Sequence, residues 1–282
     1  MRLGIHMPLK GGFVPNTARA KEIGCEAIQI FAGNPTGWTM GKIEAREMEK
    51  RLAALKEHDL RPLVVHSAYL INLASTNEDF YEKSRQLLAA TMGRAALYRS
   101  PYVVLHTGNH GGRGVTQGIT RIIETIDADR GKWPPGVMLL LENTAGSGTA
   151  LGSRLEELAE ILHAFPDGSL GICIDTAHAW GAGYDLGSAA ATERFLEQVH
   201  KLIGLEHLHM LHLNDSKAAL GSRVDRHDHI GRGAIGLECF RVLLNQKWPA
   251  EMPLILETPE IGTDWDRQNL ETLRKLSAGR FH

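Results

Sequence analysis

The 282 residues exceed the usual ~100 to 200 per domain but suit a one-domain α/β barrel of ~250, and they suffice to bury a full core. With 43% apolar and 23% charged residues, the composition excludes a disordered, fibrous or membrane protein. A formal charge of -2, from 31 Lys+Arg against 33 Asp+Glu, shows no global basic excess of the kind that advertises a polyanion partner.

In chain order, short β-branched or apolar runs occupy 3–6, 27–31, 62–66, 102–106, 137–142, 170–175, 209–213 and 253–257. Each is followed by a longer stretch with apolar residues at three- and four-residue intervals, such as 44–58, 80–98, 155–165, 190–203 and 237–246. Eight strand-helix units without a Pro/Ser-rich linker or charge block predict an α/β fold: a single (β/α)8 TIM barrel spanning 1–282. The longest non-periodic stretches, 107–115, 142–153 and 214–235, are Gly-rich and each follows a strand, so they belong on the C-terminal rim, where barrel active sites are built.

Cys25, Cys173 and Cys239 are far apart and lack CxxC spacing, which points to a reducing, cytoplasmic setting. No charged n-region with a long apolar stretch opens the chain, and runs such as 137–141 are too short to span a bilayer, so neither secretion nor a membrane partner is expected.

The 14 histidines are informative through where they fall. Five runs end on a candidate metal ligand, namely His66, His106, Glu142, Asp175 and Glu257, and His212 lies one residue inside the end of the seventh. His178 follows Asp175 by three residues, and Asp225 and His227 sit in the loop after the seventh run. Any one of these alone is more readily a hydrogen-bonded structural residue. Nine of them on one rim are different, because packed carboxylates and imidazoles cost several kcal/mol each without a cation. The set has imidazole and carboxylate donors and no thiolate, which suits Zn2+, Mn2+ or Fe2+. Nine donors exceed the needs of one or two ions, so three ions with bridging groups fit better. Such a cluster can activate water and clamp both oxygens of a phosphoryl displacement.

Six stretches then become recognisable in order: His66-Ser-Ala-Tyr-Leu-Ile-Asn-Leu73, Glu142-Asn-Thr-Ala-Gly-Ser-Gly148, Asp175-Thr-Ala-His178 with Gly183-Tyr-Asp185, His212-Leu-Asn-Asp-Ser-Lys217, Ser222-Arg-Val-Asp-Arg-His227 and Pro253-Leu-Ile-Leu-Glu-Thr258. On these motifs the whole chain resembles the endonuclease IV family of apurinic/apyrimidinic (AP) endonucleases. The resemblance implies three zinc ions, with Mn2+ compatible with one or more sites. His66, His106 and bridging Glu142 would hold the first; Glu142, Asp175, His212 and Glu257 the second; and His178, Asp225 and His227 the third.

It further implies base excision repair of double-stranded DNA. The bond 5′ to an abasic site would be cut, leaving a 3′-OH and a 5′-deoxyribose phosphate. Glu142 and Glu257 would act in catalysis, Glu257 by orienting the attacking water and taking its proton. Tyr69 and Leu70 match the pair that the family wedges into DNA, and an aromatic with an aliphatic side chain suits insertion between base steps. Lys217, Arg223 and Arg226, with Arg232, are candidate phosphate contacts. The implied working form is a monomer, nucleoid-associated through its substrate.

This sequence departs from the family in three rim loops. The loop Asn34-Pro-Thr-Gly-Trp38 lacks the usual basic wedge residue, leaving Trp38 or Thr36 to substitute; Thr107-Gly108 replaces Pro-Gly; and Pro8 stands where a Ser is common. The competing expectation is a sugar isomerase or epimerase on the same barrel, which needs one or two ions and has no use for Asp225-Arg-His227 or an inserted Tyr69-Leu70.

Overall fold

Eight parallel strands alternate with helices along the chain, and the computed structural model describes residues 1–277 of it. The strands are β1 (Arg2–His6), β2 (Ala27–Phe31), β3 (Leu63–His66), β4 (Tyr102–His106), β5 (Met138–Glu142), β6 (Leu170–Asp175), β7 (Leu208–His212) and, late in the chain, β10 (Pro253–Leu256). They close into a barrel in the order β1-β10-β7-β6-β5-β4-β3-β2, so every sequential neighbour is also a spatial one. The eight strands coincide with the eight predicted runs to within a residue or two at each end.

Helices α1 (Phe13–Glu22), α2 (Ala45–Glu57), α3 (Glu78–Leu97), α4 (Val115–Arg130) and α5 (Leu155–His163) follow the first five strands. The sixth connection is split into α6 (Thr176–Ala182) and α7 (Ala189–Leu202), and α8 (Leu237–Leu244) and α9 (Asp264–Leu276) complete the outer ring. The outer helices turn an apolar stripe inward, whereas the short α6 is buried from Thr176 to Gly181. In α5, Leu155, Leu158, Ile161 and Leu162 are all buried at the three- and four-residue spacing of one face. Among the described residues, no helix is long and apolar enough to cross a membrane.

The loop at 214–235, expected to be irregular, folds back as an antiparallel ribbon of β8 (Asp215–Ser216) and β9 (His227–Asp228). Two residues per strand are too few to show alternation in a sequence. Its fixation is tertiary: buried Asp215 accepts hydrogen bonds from the backbone N–H groups of Gly231, Gly233 and Ile235.

Strand alternation organises the interior. Alternate members such as Leu3, Ile5, Ile28, Ile30, Val103, Leu105, Leu139 and Leu141 join the large core beneath the helices. The intervening residues face the barrel axis, where Ala27, Val64, Val104, Leu140, Cys173, Met210 and Ile255 form a separate, fully buried apolar cluster. The matching position on β1 is Gly4, because a Cβ there would sit 1.9 Å from the Ala27 carbonyl oxygen.

Candidate metal centre on the C-terminal rim

Two residues beyond each member of that apolar tier stands a polar side chain: His6, Gln29, His66, His106, Glu142, Asp175, His212 and Glu257, one from every strand of the barrel or the residue just past it. The spacing of two is the pleat itself, which returns each side chain to the axis one tier higher. Six of the eight are buried, His106 and Glu257 being partly open to the rim. Asp175 is also the N-cap of α6, accepting from the His178 backbone N–H at 2.8 Å, which is how the capped turn brings His178 to the same centre. The ribbon β8–β9 delivers His227, with Asp225 half exposed at its edge.

The imidazoles are oriented alike. Nδ1–H of His66, His178 and His227 is directed to the backbone carbonyls of Ser67, Asn143 and Glu257, at 2.8, 2.9 and 2.9 Å. Their Nε2 atoms consequently face carboxylates: His66 and Glu142 Oε2 at 3.2 Å, His178 and Asp225 Oδ2 at 3.2 Å, His227 and Asp225 Oδ1 at 3.1 Å. His106 Nε2 also lies 3.0 Å from Glu142 Oε2. His212 is reversed, with Nε2 2.9 Å from Gln29 Oε1 and Nδ1 2.8 Å from Glu142 Oε1 and 3.4 Å from Glu257 Oε2.

With one ring nitrogen committed as donor, the other brings a lone pair against an oxygen lone pair, an arrangement that only a proton or a metal cation between them stabilises. His227 Nε2 makes the point most plainly, being buried with no hydrogen-bond partner despite its neighbour at 3.1 Å. The donor set therefore fits cations.

The titration tendencies express the same field. Burial works to lower His227, but the Asp175 and Asp225 carboxylates outweigh it and push the imidazole up to about 9. Burial is likewise overcome at His178, chiefly by Asp175 and Asp225, and at His212, where Cys173, Glu257 and Glu142 favour the charged form. Glu142 and Glu257 are held well below the usual carboxylate range against burial, His212 contributing most in each case. Four carboxylates thus draw positive charge to the rim, and a divalent cation competes for the place of those protons.

Four tight groupings emerge among the described residues: His66, His106 and Glu142; Glu142, Asp175, His212 and Glu257; Asp175, His178 and His227; and Glu142, Cys173 and His212. The first two are the expected sets. In the third, Asp175 lies inside the tight group and Asp225 reaches both imidazoles from the solvent side. Cys173, of the apolar tier, lies directly below Glu142 and His212; its burial pushes the thiol up to about 12.

Sequence reasoning missed a set of polar supports. Gln29 and His6 complete the ring on β2 and β1: Gln29 lies two residues before the end of its run, and His6 ends its run with no motif around it. Asn143 brackets the Asp175 backbone, donating to its carbonyl at 3.0 Å and accepting from its N–H at 2.7 Å. Asn214 donates to Asp175 Oδ2 at 2.6 Å and accepts from the Glu257 N–H at 2.7 Å. A register rule of two residues past the interior apolar position would have found Gln29 and His6.

Beside the ligands lies a cavity of about 390 Å³ lined by Tyr69, Leu70, Asn72, His106, Ser147 and Asp225, among others. Tyr69 is 58% exposed, its ring 5.9 Å from that of His106, while Leu70 is half buried. Trp38 packs on Phe80 with ring centroids 5.6 Å apart and on the core, leaving Thr36 exposed at the loop tip, and the Pro35 carbonyl accepts from the Tyr69 N–H. Lys217, Arg223 and Arg226 are exposed on the ribbon, and Arg232 stacks over Trp265. Thr107 donates to the Leu151 carbonyl and ties two rim loops together.

The profile of the xylose isomerase-like TIM barrel family matches residues 17–276. A probable endonuclease 4 from Natranaerobius thermophilus is 47% identical over 277 residues, covering 98% of each chain. The crystal structure of endonuclease IV from Thermus thermophilus superposes with a TM-score of 0.84 at 35% identity, again over 98% of each chain. A D-tagatose 3-epimerase-like protein reaches a TM-score of 0.75 at 20% identity over 98% of this chain and 97% of its own, a likeness of fold alone. The barrel is common to both kinds of neighbour, whereas full-length identity above one third attaches to the endonucleases: the chain belongs to the endonuclease IV family.

Proposed function

We propose that this chain is an AP endonuclease of base excision repair, which hydrolyses the phosphodiester 5′ to an abasic site in double-stranded DNA and leaves a 3′-OH and a 5′-deoxyribose phosphate. The observation that carries the reading is the rim itself, where nitrogen and oxygen lone pairs converge from six barrel strands and a ribbon beside an exposed tyrosine. The chain would hold three zinc ions, with Mn2+ compatible in one or more sites: one by His66, His106 and Glu142, one by Glu142, Asp175, His212 and Glu257, and one by His178, Asp225 and His227. When bound, such cations would lower the pKa of water toward ~7 and neutralise charge on the attacking and leaving oxygens.

The chain's own groups supply the rest. Glu142 is suited to bridging, since Oε2 faces His66 and His106 while Oε1 faces His212 and His178. Glu257 is ionised and has one oxygen, Oε1, tied down by Gln29, so Oε2 is the atom positioned to orient the attacking water and accept its proton. Tyr69 and Leu70 enter the base stack, and the adjoining cavity receives the extruded deoxyribose. Lys217, Arg223 and Arg226 contact flanking phosphates, and Trp38 supports the neighbouring loop. Divalent cations turn the formal charge of -2 positive and concentrate that change where a phosphate sits. The protein acts as a monomer in the cytoplasm.

The test is a duplex with a single abasic analogue, incubated with protein carrying its full complement of zinc. Scission 5′ to the lesion is expected, and an intact strand sinks the proposal. Metal content separates it from a sugar isomerase, which needs one or two ions per chain rather than three.

A further inference from the structure

Gln29 is fully buried on β2, at the polar tier, and every polar atom of its amide is used. Nε2 lies 2.6 Å from Glu257 Oε1 and 2.9 Å from His6 Nδ1, and Oε1 lies 2.9 Å from His212 Nε2. The assignment of the amide is forced. An ionised carboxylate only accepts, so the atom against Glu257 must be the NH2, and Oε1 must then accept the Nε2–H of His212. That proton leaves Nδ1 as the only ligating nitrogen of His212, and Nδ1 is the atom aimed at Glu142, Glu257 and Asp175, at 2.8, 3.4 and 3.8 Å.

From this geometry we infer that Gln29 is a positioning residue for the second cation: it fixes the tautomer of His212 so that Nδ1 ligates, and clamps Glu257 through Oε1 so that Oε2 faces the ion and the attacking water. His66, His178 and His227 obtain the same service from backbone carbonyls, which substitution cannot remove. His212 alone among these four imidazoles relies on a side chain, and that side chain also holds the proposed base. The inference rests on the metal-centre reading above, and partners that hold a metal ligand from behind typically carry about 10–100-fold in metal affinity.

The experiment uses the full chain, stripped and titrated with Zn2+ against a chromogenic chelator, and in parallel loaded with Co2+ for its visible absorption spectrum. Parent protein that binds no Zn2+ overturns the metal centre and with it this inference. With a binding parent, Gln29→Met, which keeps the volume and removes all three hydrogen bonds, should weaken one Zn2+ step about 10–100-fold, leave the other steps unchanged and alter the Co2+ spectrum. Gln29→Glu keeps the acceptor for His212 but opposes Glu257 with a like charge. It should restore the Co2+ spectrum toward the parent's while leaving cleavage of abasic duplex impaired. Unchanged Zn2+ steps in Gln29→Met, or a uniform weakening of all steps that follows a fall in Tm, would overturn the positioning role and leave the metal centre standing.

Discussion

The barrel interior holds two tiers one pleat apart that solve opposite problems. The lower tier, Ala27, Val64, Val104, Leu140, Cys173, Met210 and Ile255, is complete in itself: apolar atoms fill the axis and leave no group unsatisfied. The upper tier, reached by adding two to each number, buries imidazoles against carboxylates and is incomplete without positive charge. The same backbone thus carries a floor whose stability is its own and a site whose stability depends on what it binds. Catalytic potential is placed where the barrel is least satisfied, and the floor below prevents that polar tier from collapsing into the core.

The sharpest break between the tiers is expected at Glu257. Glu257→Gln should lower cleavage of an abasic duplex about 10²–10⁴-fold, the usual loss of a general base, while binding of that duplex survives; unchanged turnover removes its assigned role. In the floor, Leu140→Ala should cost about 2–5 kcal/mol of unfolding free energy yet leave the number of bound cations intact. Loss of cations in proportion to stability would show that the tiers are one unit.

Metal removal acts only above. Stripping with a chelator should lower Tm, and Zn2+ should restore it, because a ligand at 100 times its Kd adds about 2.7 kcal/mol. The pH response should reverse between the two states. In the stripped chain, His227 is pushed up to about 9, so its contribution is fully present below the ordinary imidazole range of ~6.5 and is lost as pH rises through about 9. In the loaded chain protons compete with cations, so stability falls as pH falls. Denaturation midpoints of both forms between these limits decide the matter, and parallel trends would undo the distinction. The smallest effect belongs to the rim outside both tiers: Tyr69→Ala should reduce the preference for abasic over intact duplex by about 1–3 kcal/mol, with cation content unchanged. A mutant with parental selectivity would remove the wedge from the proposal.

The eight strands were legible because each is a run bounded by loops and each is followed by a helical period. Six of the nine candidate ligands stand at or just past strand ends, where barrels place chemistry, and their number on one rim, rather than the position of any one, made them candidates. Gln29 and His6 were not legible. Gln29 lies in mid-run between two isoleucines, and His6 ends a strand whose neighbours give no motif, so only closure of the sheet brings them against Glu257 and His212. Trp38, read from its loop as a substitute for the basic wedge residue, packs its ring against Phe80, a contact that the sequence does not announce.

What the sequence determined by itself was the alternation of elements, the donor types and the rim on which they meet, because all three are local or periodic properties. What only the tertiary structure decided was which atom of each side chain faces which. The tautomer of His212, the two-sided use of Glu142 and the pairing of Asp225 with both His178 and His227 depend on residues far apart in the chain and a few ångströms apart across the barrel. Hydrogen-bond direction is fixed by the partner opposite, and no partner is opposite until the sheet has closed.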